Sequence, residues 1–285
     1  MLLCSHFMGS GYYEHKLIKP DSIELRDYQT NLANDAKNEN SLVVLPTGLG
    51  KTTIALQLMA HVLSQNKGGV LLLAPTRVLV NQHFDFLKEN LLLDDIGIVT
   101  GEDLINKRKK LWMNSVICAT PEITRNDLQR NMIDTQQFSL VIFDEAHRAV
   151  GDYAYTSIAN HFKEKSLILG MTATLPSEKA KATEIIVSLG IQNILQRTDE
   201  SPDVQPYIQK TNTEWVMVDL PPEMKAIQKC LQLALDERYI TLRKNGIQIG
   251  QNKSLSTLLR IRQYVLTQNR ISAKPLFTAI RITYA

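Results

Sequence analysis

The sequence is poor in cysteine. Its 285 residues include only three, Cys4, Cys118 and Cys230, which lie far apart, form no CxxC pair and join no histidine cluster at metal-ligand spacing. A disulfide framework and a zinc site are therefore not expected. Scattered single cysteines fit a reducing, intracellular setting, and we expect a cytoplasmic protein.

Apolar segments that could cross a bilayer are also missing. No stretch approaches the roughly 18 consecutive apolar residues of a membrane helix. The N-terminus has no basic segment ahead of its short apolar run, as a signal peptide would have. We therefore expect no membrane partner, and we interpret residues 1–15 as a ragged start, with Met8 as an alternative first residue.

Net charge is low, +3 over the whole chain, and by itself favours no partner. Its distribution is uneven, because from residue 215 onward 11 Lys and Arg stand against 4 Asp and Glu, a net of +7. The preceding residues carry 21 against 25. A basic C-terminal piece thus follows a slightly acidic body. It suits a polyanionic partner, although a solvated helical face would carry the same charge.

Six short aliphatic runs alternate with longer segments of helical period over residues 41–190. Strands that are apolar on both faces are typical of a parallel sheet covered by helices, and the intervening segments are long enough for crossover helices. We therefore predict an α/β fold with a doubly wound parallel sheet. The six predicted strands are 41–46, 70–75, 96–101, 115–120, 139–145 and 166–172.

The pattern changes after Gly190. A helix is predicted from Pro221 and Pro222, whose fixed backbone suits a first turn, to about Lys244. The flanking predictions are a linker at 201–206, a strand at 213–220 and a second helix from about Ser254.

A glycine-rich segment, PTGLGKT, follows the first predicted strand and opens a helical pattern. Gly48 and Gly50 would bring backbone N–H groups against phosphate oxygens, Lys51 would reach the β- and γ-phosphates of ATP, and Thr52 would offer its hydroxyl to Mg²⁺. Because Leu45 stands where the full GxxxxGKT pattern has its first glycine, a glycine-rich turn with an exposed lysine is the alternative. The residues predicted to bind ATP in this loop are Pro46, Thr47, Gly48, Leu49, Gly50, Lys51, Thr52 and Thr53.

A second polar segment, DEAH, ends the fifth predicted strand and complements the first. Asp144 would hold Mg²⁺ through its water shell, Glu145 would orient and deprotonate the attacking water, and His147 would sense the γ-phosphate. Two adjacent carboxylates on an apolar strand end are costly unless a cation offsets them, although a solvated helix N-terminus also carries Asp and Glu. The predicted catalytic residues are Lys51, Asp144, Glu145 and His147, and the predicted metal ligands are Thr52 and Asp144.

The LRDYQ segment precedes the glycine-rich loop. Gln29 would read the adenine edge with its amide, and Arg26 would help to hold the loop. An ordinary amphipathic helix is the alternative.

Small and polar residues also end the other predicted strands. Hydroxyls, backbone N–H groups and one guanidinium along one sheet edge suit contacts to a sugar-phosphate backbone, although Thr-Pro pairs also cap helices. Thr172 and Thr174 after the sixth strand would link this edge to the nucleotide site, or form an ST-turn. The predicted nucleic-acid contacts are Pro75, Thr76, Arg77, Thr100, Gly101, Thr120 and Pro121. The histidines left without a predicted partner, for which surface or packing roles are expected, are His6, His15, His61, His83 and His161.

With these segments assembled, the chain resembles superfamily 2 helicases of the DEAH-box type, and among them the archaeal Hef helicase and its eukaryotic relatives FANCM and Mph1. The resemblance is carried by LPTGLGKT, LLLAPTRVLVNQH, ATPEITRNDL, VIFDEAHRAVGDYAY and SPDVQPYI, and it covers roughly residues 16–222. It implies a RecA-like P-loop domain at 16–205 that uses ATP and Mg²⁺. It further implies remodelling of branched DNA, such as forks and junctions, in replication-linked repair. Residues 206–285 would hold a linker strand and part of the family's helical, thumb-like insertion.

Two departures from the family's pattern concern the ATP site and its coupling to the nucleic-acid site. TAT at 172–174 stands where TAS is expected, which keeps the hydroxyl of Thr172. Nothing after residue 222 resembles the family's second RecA-like domain, whose arginines complete the ATP site. We therefore expect that domain to be missing or separate, and the chain to be a weak ATPase by itself. The alternatives are a nucleotide-gated binding module without motor activity, and the motor fragment of a restriction system or an RNA-sensing helicase.

Overall fold

The computed structural model describes residues 11–208 and 216–244 of the chain. The chain divides into two compact units, residues 1–210 and 211–285.

The first unit is built on a seven-stranded sheet in which every strand pair is parallel. Its order is β3-β4-β2-β5-β6-β1-β7, so the chain crosses over the sheet between successive strands, as the predicted doubly wound fold requires. The strands are β1 Ser41–Val44, β2 Gly69–Leu73, β3 Ile96–Val99, β4 Val116–Ala119, β5 Phe138–Phe143, β6 Leu167–Thr172 and β7 Asn193–Gln196.

The six predicted strands are confirmed, whereas β7 was not predicted. It lies at the edge of the sheet and pairs with β1 alone among the described strands. Of its four residues only Leu195 is buried, and Ile194 is 43% exposed. An edge strand that is half in water carries no apolar run, which is why the sequence pattern did not reveal it.

Helices cover both faces of this sheet. Those of the first unit are α1 Asp27–Asp35, α2 Lys51–Ser64, α3 Arg77–Asn90, α4 Ile105–Leu111, α5 Pro121–Gln129, α6 Ala154–Phe162 and α7 Lys179–Leu189. Short 3-10 helices span Thr135–Gln137, Ala146–Arg148 and Gln205–Tyr207.

The hydrophobic core consists of two clusters, one on each face of the sheet. Alternation along β1 shows the cause: Val43 belongs to one cluster, and Leu42 and Val44 belong to the other. Burial of each such aliphatic side chain stabilises the fold by about 1.5–3 kcal/mol. The sheet is therefore a rigid platform for the loops at its edges.

In the second unit the structure describes residues 216–244. The predicted strand at 213–220 is wrong for its described part, because residues 216–220 form no strand and have no strand partner among the described residues. Met217 and Val218 are exposed there. The predicted helix is confirmed as α8, Pro222–Lys244. The helix predicted from Ser254 lies outside the described residues. Among residues 11–208 and 216–244, no helix has both the length and the apolar character needed to cross a bilayer.

Candidate nucleotide site and adjoining cleft

The carboxyl ends of the parallel strands share one edge of the sheet, and most of the predicted site residues lie there. The loop 46–50 follows β1, residues 75–77 follow β2, and Asp144 directly follows β5. Lys51, Thr52 and Thr53 open α2 after the first of these loops, and Glu145 and His147 follow Asp144. The predicted nucleic-acid and coupling residues that remain lie at or just after the ends of β3, β4 and β6. Arg26 and Gln29 lie instead at the start of α1.

The loop after β1 turns through two glycines with left-handed backbone, Gly48 at φ 83° and Gly50 at φ 78°. Gly50 is also the N-cap of the 14-residue helix α2, and no side chain caps that N-terminus. A helix N-terminus carries N–H groups without an intrahelical acceptor and a partial positive charge. Thr52 lies in this first turn and is half-buried. The loop therefore fits a phosphate group.

Lys51 is held against the same loop. Its Nζ donates to the carbonyl oxygen of Leu45 at 2.8 Å and lies 3.4 Å from that of Pro46. Burial lowers the pKa of Lys51, and the negative charges of Glu145 and Asp144 act in the opposite direction. The structure thus brings the predicted lysine and both predicted carboxylates into one electrostatic neighbourhood.

Asp144 is fixed through its backbone and through its side chain. Its N–H donates to the carbonyl of Leu73 at 2.9 Å, which extends the pairing of β5 with β2. The buried hydroxyl of Tyr155 donates to the carbonyl of Asp144 at 2.7 Å, and burial raises the pKa of Tyr155 well above its ordinary value. The carboxylate Oδ2 lies 2.9 Å from Nε2 of His83, a residue of α3.

Glu145 has left-handed backbone, at φ 50°. Its Oε2 lies 3.2 Å from Nδ1 of His147, and the same ring nitrogen lies 3.1 Å from Oγ1 of Thr172. The hydroxyl of Thr172 donates to the carbonyl of Thr174 at 3.0 Å. Of the two predicted coupling residues, Thr172 therefore contacts the DEAH segment through His147, and Thr174 contacts Thr172.

These residues fit a magnesium-bound triphosphate. Mg²⁺ carried by phosphates keeps several waters and needs only one or two carboxylates from the protein. Among the described residues there is no cluster of three or more His, Cys, Asp or Glu that could hold a metal by itself. Lys51, Thr52 and Asp144 offer an ammonium, a hydroxyl and a carboxylate, which are the groups that such a nucleotide requires.

Gln29 contacts the loop itself. Its side chain is buried, and its amide nitrogen donates to the carbonyl of Leu49 at 3.0 Å, beside the hydroxyl of Tyr28, which donates to the same carbonyl at 2.7 Å. A Cβ at Gly50 would lie 2.3 Å from that amide nitrogen. Gln29 therefore braces the loop, and its contact with adenine stays a prediction.

Arg26 lies beside this brace. Its guanidinium donates to Glu24 at 2.8 Å, a contact that raises the pKa of Arg26, and lies 5.5 Å from the centre of the Tyr207 ring. The Tyr207 ring also packs on the ring of Tyr28 at 5.4 Å. The SPDVQPYI segment thus closes over α1.

The predicted nucleic-acid residues lie around a cleft of about 300 Å³ at the same edge of the sheet as the nucleotide site. Thr76 caps α3 by accepting the N–H of Leu79, and Arg77 forms an ion pair with Glu102. Thr100 and Pro121 lie next to lining residues and do not line the cleft themselves, and Thr100 donates to Asp103. The lining residues are Pro75, Thr76, Arg77, Gly101, Thr120, Glu122, Ile123 and Asn126.

A buried ion pair that was not predicted ties α4 to α5, the helix that contributes Glu122, Ile123 and Asn126 to the cleft. Arg108 of α4 donates to both carboxylate oxygens of Asp127 of α5, at 2.8 and 3.0 Å, and Trp112 donates to the same carboxylate at 2.9 Å. A further N–H of Arg108 donates to the carbonyl of Asp103 at 2.6 Å. The cluster joins the loop after β3 to α5. The sequence predicted none of these contacts, nor those of His83 and Tyr155 with Asp144, because the partners are distant along the chain.

Comparison with known proteins places these observations in a family. The family model described as "Type III restriction enzyme, res subunit" matches residues 22–177. The chain is 41% identical over 239 residues to MJ1505 of Methanocaldococcus jannaschii, provisionally named an ATP-dependent RNA helicase, a match that covers 83% of this chain and 31% of that protein. It is 34% identical over 227 residues to the ATP-dependent DNA helicase MPH1 of Vanderwaltozyma polyspora, with coverages of 76% and 22%.

Among solved structures, the Hef helicase domain of Pyrococcus furiosus matches with a TM-score of 0.72 and 36% identity, over 94% of this chain and 60% of that one. The chain spans less than a third of the length of the two curated relatives. The matched segment contains both the glycine-rich loop and the DEAH segment, on a RecA-like sheet. The chain therefore belongs to the superfamily 2 helicases of the Hef, FANCM and Mph1 family, and residues 22–177 lie in its helicase domain.

Proposed function

We propose that this chain carries the ATP-binding half of a DNA-dependent ATPase that acts on branched DNA, such as forks and junctions, in replication-linked repair. The observation that carries the proposal is the arrangement at one sheet edge: Lys51 follows β1, Asp144 and Glu145 follow β5, and the cleft lined by Pro75, Thr76 and Arg77 lies at the same edge. The charges of both carboxylates also act on Lys51. A phosphate site and a groove for a phosphodiester backbone adjoin there.

At the nucleotide site each residue has a separate task. Bound MgATP supplies the γ-phosphoryl group that is transferred to water. The loop N–H groups and Lys51 hold the phosphates, Thr52 and Asp144 hold the metal ion with its waters, and Glu145 orients the attacking water and accepts its proton. His147 lies between Glu145 and Thr172, and these contacts support a role for it in sensing the γ-phosphate.

The cleft suits a strand's sugar-phosphate backbone. Thr76, Gly101 and Thr120 line it with hydroxyls and a glycine backbone, and Arg77 lies at its rim as the cationic group. Groups of this kind position a strand without reading its sequence. The net +7 from residue 215 onward adds non-specific affinity for DNA.

The residues of this sequence form one side of the ATP site. An arginine supplied from outside the phosphate-binding domain is worth on the order of 10³–10⁵ in rate for related nucleotide hydrolases. We therefore expect slow turnover by residues 1–285 alone, and stimulation when a second RecA-like domain supplies that group.

The proposal is tested by measuring ATP turnover with forked DNA, linear duplex and single-stranded RNA. We expect forked DNA to stimulate turnover most, and Lys51→Ala to abolish it by weakening nucleotide binding. Lys67→Ala serves as the matched control, because Lys67 is exposed and precedes β2 at the opposite edge of the sheet. ATP turnover that is the same with and without DNA, or that persists in Lys51→Ala, would contradict the proposal.

An RNA-dependent motor is the second candidate, because the relative MJ1505 bears the name of an RNA helicase. It shares the same nucleotide chemistry and differs only in the polymer. Stronger stimulation by RNA than by forked DNA would select it, and stimulation by linear duplex alone would favour a restriction-type motor. Nucleotide-dependent DNA binding without any turnover, even with a second domain added, would select a binding module.

A further inference from the structure

His83 is a buried histidine for which the proposed reaction has no role so far. It lies in the middle of α3, and its side chain is 8% exposed. Its Nε2 lies 2.9 Å from Oδ2 of Asp144, whose side chain is 10% exposed. A contact this short between two buried polar groups fixes both side chains, because neither can turn towards water instead.

The chemistry of the contact assigns its direction. An ionised carboxylate only accepts hydrogen bonds, so Nε2–H of His83 donates to Oδ2 of Asp144. One carboxylate oxygen is then engaged with α3, and Oδ1 is left for a magnesium ion or its waters. Donors that hold a metal-binding carboxylate in this way typically change metal affinity by about 10- to 100-fold when they are removed.

The helix that carries His83 also forms part of the cleft. Thr76 and Arg77 at the start of α3 line the cleft, and Thr76 caps the helix. His83 follows Arg77 by six residues, about 9 Å along a helix axis. Val80 is buried between Arg77 and His83, and Leu87 is buried one turn after His83. We therefore expect α3 to move as one rigid piece. A shift at its N-terminus therefore moves His83 as well.

We infer that His83 is a positioning residue that aims the carboxylate of Asp144 at the magnesium ion and that couples this carboxylate, through α3, to a strand bound in the cleft. The inference rests on the proposed metal role of Asp144. It adds a route between the two sites that is separate from the contact of His147 with Thr172.

The route makes a linkage prediction. If a bound strand improves the alignment of Asp144, it tightens the binding of magnesium-nucleotide, and the nucleotide tightens the binding of the strand by the same factor. Without the hydrogen bond from His83, we expect the strand and the magnesium-nucleotide to bind almost independently of each other. Nucleotide binding without the metal is unaffected, because His83 acts on Asp144 alone.

The test compares His83→Gln, which keeps an N–H donor, with His83→Phe, which keeps a ring and removes the donor. His161→Phe is the control, because His161 is exposed on α6. Binding of a fluorescent ATP analogue to the purified chain is titrated against Mg²⁺, and repeated in EDTA and with a single-stranded oligonucleotide. For His83→Phe we expect the half-saturating Mg²⁺ concentration to rise about tenfold, the affinity in EDTA to be unchanged, and the effect of the oligonucleotide to be lost. His83→Gln should stay within about threefold of the unaltered chain.

An unchanged Mg²⁺ dependence in His83→Phe would overturn the inference. Equal losses in both variants, or a loss that persists in EDTA, would reduce His83 to a packing role. If His83→Phe does not fold, as judged by circular dichroism, His83→Met takes its place with the same criteria. If the unaltered chain binds no magnesium-nucleotide, the proposed function itself is wrong. This outcome differs from a failure of the inference about His83, because it is seen in the unaltered chain.

Discussion

The two halves of the functional edge hold their charged groups in different surroundings. At the nucleotide half, the side chains of Asp144 and His83 are 10% and 8% exposed and hydrogen-bonded to each other. At the rim of the cleft, Arg77 and Glu102 are paired while 53% and 73% exposed. Charges in water are screened and reorient freely, whereas buried ones keep one geometry. The nucleotide half is thus built for fixed chemistry, and the cleft rim for adaptable contact with a polymer.

The largest effect expected from this difference is on turnover. Glu145→Gln removes the group that accepts the proton and leaves the loop and Lys51 unchanged. We expect ATP turnover to fall by about 10²–10⁴, with nucleotide affinity retained, as measured by steady-state hydrolysis and by titration of a fluorescent analogue. A fall in affinity as large as the fall in rate would show that Glu145 serves binding instead.

The second prediction tests whether the cleft has buried support beneath its exposed rim. Asp127→Asn leaves the guanidinium of Arg108 buried without its counter-charge, and breaking such a pair costs about 3–5 kcal/mol of unfolding free energy. Denaturant unfolding measures it. Lys107→Gln is the control on the same helix, because Lys107 is 66% exposed in its pair with Asp103 and its loss should cost less than about 1 kcal/mol. Similar losses of unfolding free energy in the two variants would show that the buried pair supports the cleft no more than the exposed pair does.

Arg77→Ala should have a smaller effect, confined to DNA. It removes one cation from the rim of the cleft, so we expect weaker binding of every sequence alike and a salt dependence that is shallower by about one counterion. Oligonucleotide binding measured across a range of salt concentrations checks both. A loss of MgATP affinity without DNA would contradict the separation of the two halves, since Arg77 contacts neither phosphate loop nor DEAH segment in its hydrogen bonds or ion pairs.

Glu102→Gln should have the smallest effect, and of opposite sign. It releases Arg77 from its ion pair at the exposed rim, where such pairs are worth about 0–1 kcal/mol. We expect DNA binding to tighten by less than about fivefold at low salt, and the gain to vanish at high salt. Weaker binding in this variant would mean that Glu102 positions Arg77 instead of competing for it.

The sequence predicts the strands and the loops that follow them, because both depend on local signals. An aliphatic run such as 70–75 and a glycine-rich turn such as PTGLGKT indicate their own structure. The edge strand β7 gives no such signal, since only one of its residues is buried. Residues 216–220 give a misleading one: they are mostly apolar, but no strand pairs with them in the part of the chain that the structure describes.

The partners of the site residues could not be predicted for a different reason. His83 and Asp144 lie 61 residues apart, and Arg108 and Asp127 lie 19 apart on different helices. Which polar side chain on a helix faces which strand end depends on the crossover geometry of the whole sheet. Gln29 illustrates the same limit, because its segment was recognised while its bond to Leu49 was not.

The backbone of Glu145 has a consequence for the engineering of this domain. A left-handed conformation costs a residue with a Cβ about 1–2 kcal/mol, whereas glycine adopts it freely and asparagine more readily than most. A design that selects for thermal tolerance alone would replace Glu145 at φ 50° and gain heat resistance while discarding the carboxylate. Thermal stability and ATP turnover therefore favour different residues at this position. Stabilising substitutions for an active domain have to be made at other positions.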